Sequence, residues 1–175
     1  MQRPPLRAIL ILLIALVAAG TFISNTTTQQ NVFGESTPSP CEASGVSLVI
    51  DYGETSGKPE EVMCVQDFEG TGWQLFERAS VAVVGTSEYP NSFVCRLNNF
   101  PPAEFEDCRG TPNPEKGSWV YYFASAATNF QWIRSGQGAA ARQPNCGDYE
   151  GWKFSGSAQE LAAPPNFKPK PLLCK

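Results

Sequence analysis

The chain contains no histidine. That removes the commonest general base and a common zinc ligand, and it makes a Ser-His-Asp triad impossible. No Gly-x-Ser-x-Gly run occurs, so the serines lack the turn that presents a nucleophile. No CxxC pair occurs either, so zinc-site spacing is missing and no metal is expected. Asp51 and Glu54 flank Gly53 as calcium ligands would, but without EF-hand spacing. No internal repeat is visible, which excludes solenoids and propellers. Charge is scarce, at 17% of residues. Taking away the leading Arg3 and Arg7 leaves eleven basic residues against 17 acidic, a formal net charge of −6. No basic cluster survives in that body, so nucleic acid and anionic lipid surfaces are poor partners.

What the chain does have begins at its start. Residues 8 to 23 read AILILLIALVAAGTFI, after Arg3 and Arg7. The run lies between the apolar core of a secretory signal, about 7 to 15 residues, and a membrane span of about 20. Ala18 and Gly20 suit cleavage after Gly20, while Thr21-Phe22-Ile23 continues the apolar run and favours retention. Residues 1–24 are therefore either a cleaved signal peptide or an N-terminal anchor, and the membrane is met only through 8–23. Both readings deliver the body to an oxidising compartment, secreted or at the cell surface. With an anchor, Arg3 and Arg7 stay cytoplasmic and the bulk faces outward.

Residues 25–40 are polar and end in Pro40, the composition of a flexible stalk. They are followed by one extracytoplasmic domain over 41–160. A Pro-rich tail over 161–175 carries Cys174 next to its end, placed to staple the tail to the body. Within the domain, 46–52 and 62–65 have strand character. Thr71, with Gln74 three residues on, predicts a capping box opening a short helix whose Trp73, Phe76 and Ala79 share a face. Val81–Val84 and 92–97 predict further strands, the second with Phe93, Cys95 and Leu97 on one side. Trp119, Tyr121 and Phe123 alternate along one strand, Phe130 and Trp132 along the next, and Trp152 and Phe154 along the last. The sum is a small, mostly antiparallel α+β fold with one helix packed on its sheet.

All six cysteines follow the apolar run, so three disulfides are expected rather than metal ligands or nucleophiles. Cys95 and Cys108 are the best local pair. The partners of Cys41, Cys64, Cys146 and Cys174 stay open, because pairing is not fixed by sequence. The acid groups Glu60-Glu61, Glu104-Glu106-Asp107 and Asp148-Glu150 suit solvated surface better than a glycosidase carboxylate pair. The aromatic stripe reads chiefly as a core face. Tyr122, Trp132 or Trp152 are the rings suited to line a ligand surface or a partner patch.

The runs Phe93-Val94-Cys95-Arg96-Leu97, Cys108 with Thr111-Pro112, Trp119-Val120-Tyr121-Tyr122, Phe130 to Ser135, Gly138-Ala139 and Glu150 to Phe154 occur in that order. Together they resemble a group of small exported actinobacterial proteins of unknown function. That group is similar to the family related to the C-terminal domain of transcobalamin and intrinsic factor. The resemblance implies a β-grasp-like fold and a ligand-facing edge at Tyr121, Tyr122 and Trp132, with Ser135 and Gly138 in the following turn. It also raises small-molecule, corrinoid-like uptake as a role. The expectation is a non-enzymatic domain, without cofactor, that binds a small molecule or an envelope protein. An envelope hydrolase using paired carboxylates and a structural cell-wall protein are the alternatives.

Overall fold

The computed structural model describes residues 36–112, 115–156, 163–172 and 174. All of them fall in the compact unit Phe33–Lys175. The apolar run 8–23 and most of the expected stalk lie outside the described residues. Among the described residues no helix is long and apolar enough to cross a membrane.

Among the described residues there are eight strands and one α-helix: β1 (Ser36–Thr37), β2 (Val46–Asp51), β3 (Glu61–Val65), α1 (Gly72–Arg78), β4 (Val83–Gly85), β5 (Val94–Leu97), β6 (Ser118–Ala124), β7 (Ile133–Arg134) and β8 (Tyr149–Ser155). Six strands form one sheet in the order β1-β3-β2-β8-β6-β7, and β4 pairs with β5 apart from it. The fold is thus α+β, mostly strands with one helix. The pairing of β2 with β8 is parallel, and every other pairing is antiparallel. A parallel pair needs a long crossover. Here it contains everything from Tyr52 to Asp148, including α1.

The helix starts where Thr71 and Gln74 cap each other: Gln74 N–H donates to Thr71 Oγ1 at 3.3 Å, and Thr71 N–H to Gln74 Oε1 at 2.9 Å. It ends where Ser80 turns left-handed at φ 58° and Val81 N–H reaches back to Phe76 O at 2.8 Å. Val81 thereby closes the helix, and the strand expected at 81–84 begins only at Val83. Leu75 and Phe76 are the helix's buried apolar residues. They pack against the sheet face carrying Val46, Leu48 and Ile50 of β2, Trp152 and Phe154 of β8, and Trp119 and Tyr121 of β6. Opposed positions explain the ring contacts: Tyr121 pairs with Trp152, and their rings stack at 4.5 Å and 9°.

The opposite face is covered as well. A second apolar cluster holds Val49, Ala124 and Tyr149, with Val62, Phe130, Trp132 and Phe167 against it. Every residue of β2 and β8 is therefore buried on both faces. The segment before β7 and the C-terminal tail together supply this outer layer, with Pro165 fully buried.

Several expectations are corrected. Phe130 and Trp132 do not form a strand in register with Trp119 and Tyr121. Asn129 and Phe130 are left-handed, at φ 52° and 56°, and the chain crosses to the outer face before β7 begins. In β5, Val94 and Leu97 enter the main core and Phe93 is only half-buried, because a register shift at Val84/Gly85 breaks the simple alternation. Asp148 and Glu150 are not solvated surface, since both are buried.

The disulfides are Cys41–Cys64, Cys95–Cys108 and Cys146–Cys174, and no cysteine is free. Complete pairing is compatible with an extracytoplasmic protein. Cys146–Cys174 staples the tail to the turn before β8. Ser36-Thr37, inside the span expected as stalk, is instead hydrogen-bonded to β3 at the sheet edge.

Candidate functional site

Two polar clusters and one open hollow stand out among the described residues. The first cluster lies between β8, β6 and the segment before β8. Glu150, on the helix-side face, accepts from the Tyr121 hydroxyl on Oε2 and from Arg142 Nε at 2.9 Å on Oε1. Arg142 also donates to Asp148 Oδ2 at 3.1 Å, and its guanidinium lies 4.0 Å from the centre of the Phe123 ring. Burial pushes the Glu150 carboxyl up to about 7, with Asp148 raising it further and Arg142 and Tyr121 opposing. Burial, and then the Glu150 charge, raise the Tyr121 hydroxyl as well, so it stays a neutral donor. Burial raises Asp148 against the pull of the Asn145 N–H and Arg142.

This cluster is architectural as well as polar. Arg142 O accepts from Gly72 N–H at 2.9 Å and Ala139 O from Trp73 N–H at 3.0 Å. Those are helix-start donors with no partner inside the helix. Gly72 is needed there, because a Cβ would stand 2.7 Å from the Tyr121 hydroxyl oxygen. Glu150 is 0% exposed, so no substrate reaches its carboxylate.

The second cluster clamps the tail. Asp51 Oδ2 binds Lys153 Nζ at 3.2 Å and accepts from Asn166 N–H and Nδ2 at 3.1 Å each. Glu60 Oε1 accepts from Phe167 N–H at 3.0 Å. Burial raises the Glu60 carboxyl, partly offset by that bond. Trp132 Nε1 donates to Phe167 O at 2.8 Å, and the Tyr149 hydroxyl to Lys170 O at 3.1 Å. Asp51 is thus committed to a lysine and an asparagine, and among the described residues no cluster of acids, cysteines or histidines could hold a metal ion.

Beside this clamp lies a hollow of about 190 Å³, lined by Phe130, Gln131, Trp132, Pro164, Lys168 and Pro169. Its walls come from the turn before β7 and from the tail. The indole N–H is already used by Phe167 O, so Trp132 offers the hollow carbon surface. Gln131 and Lys168 are exposed. Lys168 makes no ion pair among the described residues.

The six expected ligand residues are divided by the sheet. Tyr121 and Trp152 are on the helix side, stacked in the core. Tyr122 and Trp132 are on the outer side, and only Trp132 lines the hollow. Ser135 is a turn residue: its N–H donates to Tyr121 O at 2.9 Å and its Oγ to Gln137 O at 2.7 Å. Gly138 O accepts the N–H groups of Ala141 and Arg142. Phe130, Gln131, Pro164, Lys168 and Pro169 were not expected to meet. The one sequence signal for them is the distribution of charge, since residues 117–147 and 161–175 contain no acid at all. Compared with known proteins, the chain matches no protein-family model, no curated sequence and no solved structure.

Proposed function

We propose that this chain is a non-enzymatic, extracytoplasmic binding domain of β-grasp-like design, secreted or held at a bacterial cell surface. The topology supports the fold type: an N-terminal hairpin of β2 and β3, a helix across the sheet, and a final strand β8 returning parallel to β2 at its centre. The binding reading is carried by one contrast. The paired carboxylates Asp148 and Glu150 are buried on a shared arginine, while the aromatic hollow at Trp132 is open.

A hydrolase needs two carboxylates about 5 to 9.5 Å apart across a cleft that admits substrate. Glu106 accepts from Cys108 N–H, Asp107 pairs with Arg109, and both stand on the loop after β5. The hollow is also smaller than the roughly 300–1,000 Å³ of sites that enclose small molecules. It supports capture of a projecting group on a larger partner more than envelopment of a corrinoid.

The test is a photo-crosslinking residue at Gln131 in the native host, with one at Glu88 on the β4–β5 side as control. A discrete adduct at 131 alone is expected. Equal labelling at both positions, or none at 131, removes the reading. Calorimetry with cyanocobalamin is the companion measurement, and saturable heat there returns the ligand to a corrinoid.

A further inference from the structure

We infer that the hollow between the turn before β7 and the C-terminal tail binds a carboxylated sugar of an acidic glycan, an assignment that rests on the binding role proposed for the same hollow.

Charge is the first ground. The chain as a whole is acidic, with formal net charge −4, yet both walls come from stretches that carry only positive charge. Residues 117–147 hold no acid, and of their two arginines only Arg134 bears on the hollow, since Arg142 is paired with Asp148 and Glu150 on the other face. Residues 161–175 hold Lys168, Lys170 and Lys175 and no acid. The two acids that hydrogen-bond the tail among the described residues, Asp51 and Glu60, are taken by Lys153, by Asn166 and by the Phe167 N–H. Lys168 stands at the hollow with its ammonium uncommitted to any described carboxylate, and Arg134 is exposed two residues on from Trp132. An anion is the complementary ligand.

Shape and chemistry are the second ground. The lining residues combine the rings of Phe130 and Trp132 and the prolines Pro164 and Pro169 with the amide of Gln131 and the cation of Lys168, and more of the surface they offer is polar than apolar. The hollow has the volume of about six water molecules, room for one ring-sized group. A sugar ring presents C–H faces to aromatic carbon, hydroxyls to an amide and, in an acidic sugar, a carboxylate to a lysine. An acidic peptide would use the lysine but leave the aromatic floor against solvent.

Rigidity is the third. Trp132 is fixed by its bond to Phe167 O and by its packing on Gly151. Phe130 N–H is bonded to Ser125 O at 2.9 Å. The floor is therefore preformed, which lowers the ordering cost of binding.

The experiment is a titration of the ¹⁵N-labelled full chain, in a neutral detergent with its disulfides intact. The probes are tetragalacturonate, neutral tetragalactose and a tetraglutamate peptide. Saturable shifts at Gln131, the Trp132 indole and Lys168 are expected with tetragalacturonate. The neutral sugar should bind several-fold more weakly, and raised salt should erode the difference. Lys168→Gln, on an exposed residue, leaves the fold intact and should weaken tetragalacturonate roughly five-fold, the loss of one exposed charge pair. Equal binding of both sugars, or binding of tetraglutamate alone, overturns the acidic-sugar assignment and leaves the binding role standing. No shift at the hollow with any probe overturns the assignment too. The binding role itself then stands or falls on the Gln131 crosslink.

Discussion

The Tyr121 hydroxyl donates to Glu150 on the diagonal between β6 and β8, with both residues buried. Arg142 holds the other carboxylate oxygen, and its own backbone carbonyl anchors the first residue of α1. One buried acid thus joins the sheet, the helix start and the segment before β8.

That relationship fixes the sign of a pH dependence. Glu150 is pushed up to about 7, and Asp148 and Glu60 are raised as well, all chiefly by burial. Groups raised in the folded state hold protons that the unfolded chain releases. Their cost to stability is absent below the ordinary carboxylate range and fully present above about pH 7. Unfolding free energy from urea titrations should therefore fall as pH rises from 5 to 8. Glu150→Gln should flatten most of that slope; a slope unchanged in this variant would remove Glu150 as its source.

Removing the cation is the harsher test. Arg142→Met leaves Glu150 and Asp148 buried without a cation and should destabilise by about 3–5 kcal/mol. Arg142→Lys should recover only part of this, because a single ammonium does not present two donors to two carboxylates in the same fork. Adding Glu150→Gln to Arg142→Met should recover more than either change predicts alone, measured as a double-mutant cycle.

The tail is a structural layer, and it should behave as one. Replacing Cys146 and Cys174 together by Ser opens a crosslink with a sequence separation of 28 and should cost roughly 3–4 kcal/mol in the chain-entropy model. Limited proteolysis should then cut between 163 and 172 well before the core is lost. Resistance equal to the parent chain would mean that the Asp51, Glu60 and Trp132 bonds alone hold the tail.

Gly151 separates packing from chemistry at the hollow. A Cβ there would lie 2.7 Å from Trp132 Cη2 and Cζ3 and 3.1 Å from Pro165 Cγ. Gly151→Ala should push the indole off the sheet, break its bond to Phe167 O and cost about 1–3 kcal/mol. The near-ultraviolet circular dichroism of the tryptophans should change with it. Gly136→Ala, which meets nothing within 4 Å, should stay within about 0.5 kcal/mol of the parent.

Local signals were legible without the fold. The Thr71–Gln74 capping box lies within one helical turn, and β2, β3, β6 and β8 were visible as runs of strand character. The Cys95–Cys108 pair was close enough in sequence to be chosen, with a separation of 13. The β7 region misled because Phe130 and Trp132 alternate like a strand. Left-handed backbone suits an asparagine such as Asn129, but nothing in the Phe130 side chain announces it. The acids misled for a related reason. Asp148 and Glu150 resemble surface in sequence, and it is Arg142, folded against both with the Tyr121 hydroxyl and the Asn145 N–H, that makes their burial tolerable.

The amino-acid order by itself determined an apolar start, an even set of cysteines after it, a body without histidine chemistry, and a strand-rich α+β pattern. Those properties depend on composition and on neighbours a few residues apart. Tertiary structure decided the parallel union of β2 with β8, the burial of an acid–arginine cluster, the tail laid over the outer face, and the hollow at Trp132. Each of these joins residues distant along the chain. Their free energy comes from desolvation and packing that no short stretch of sequence contains.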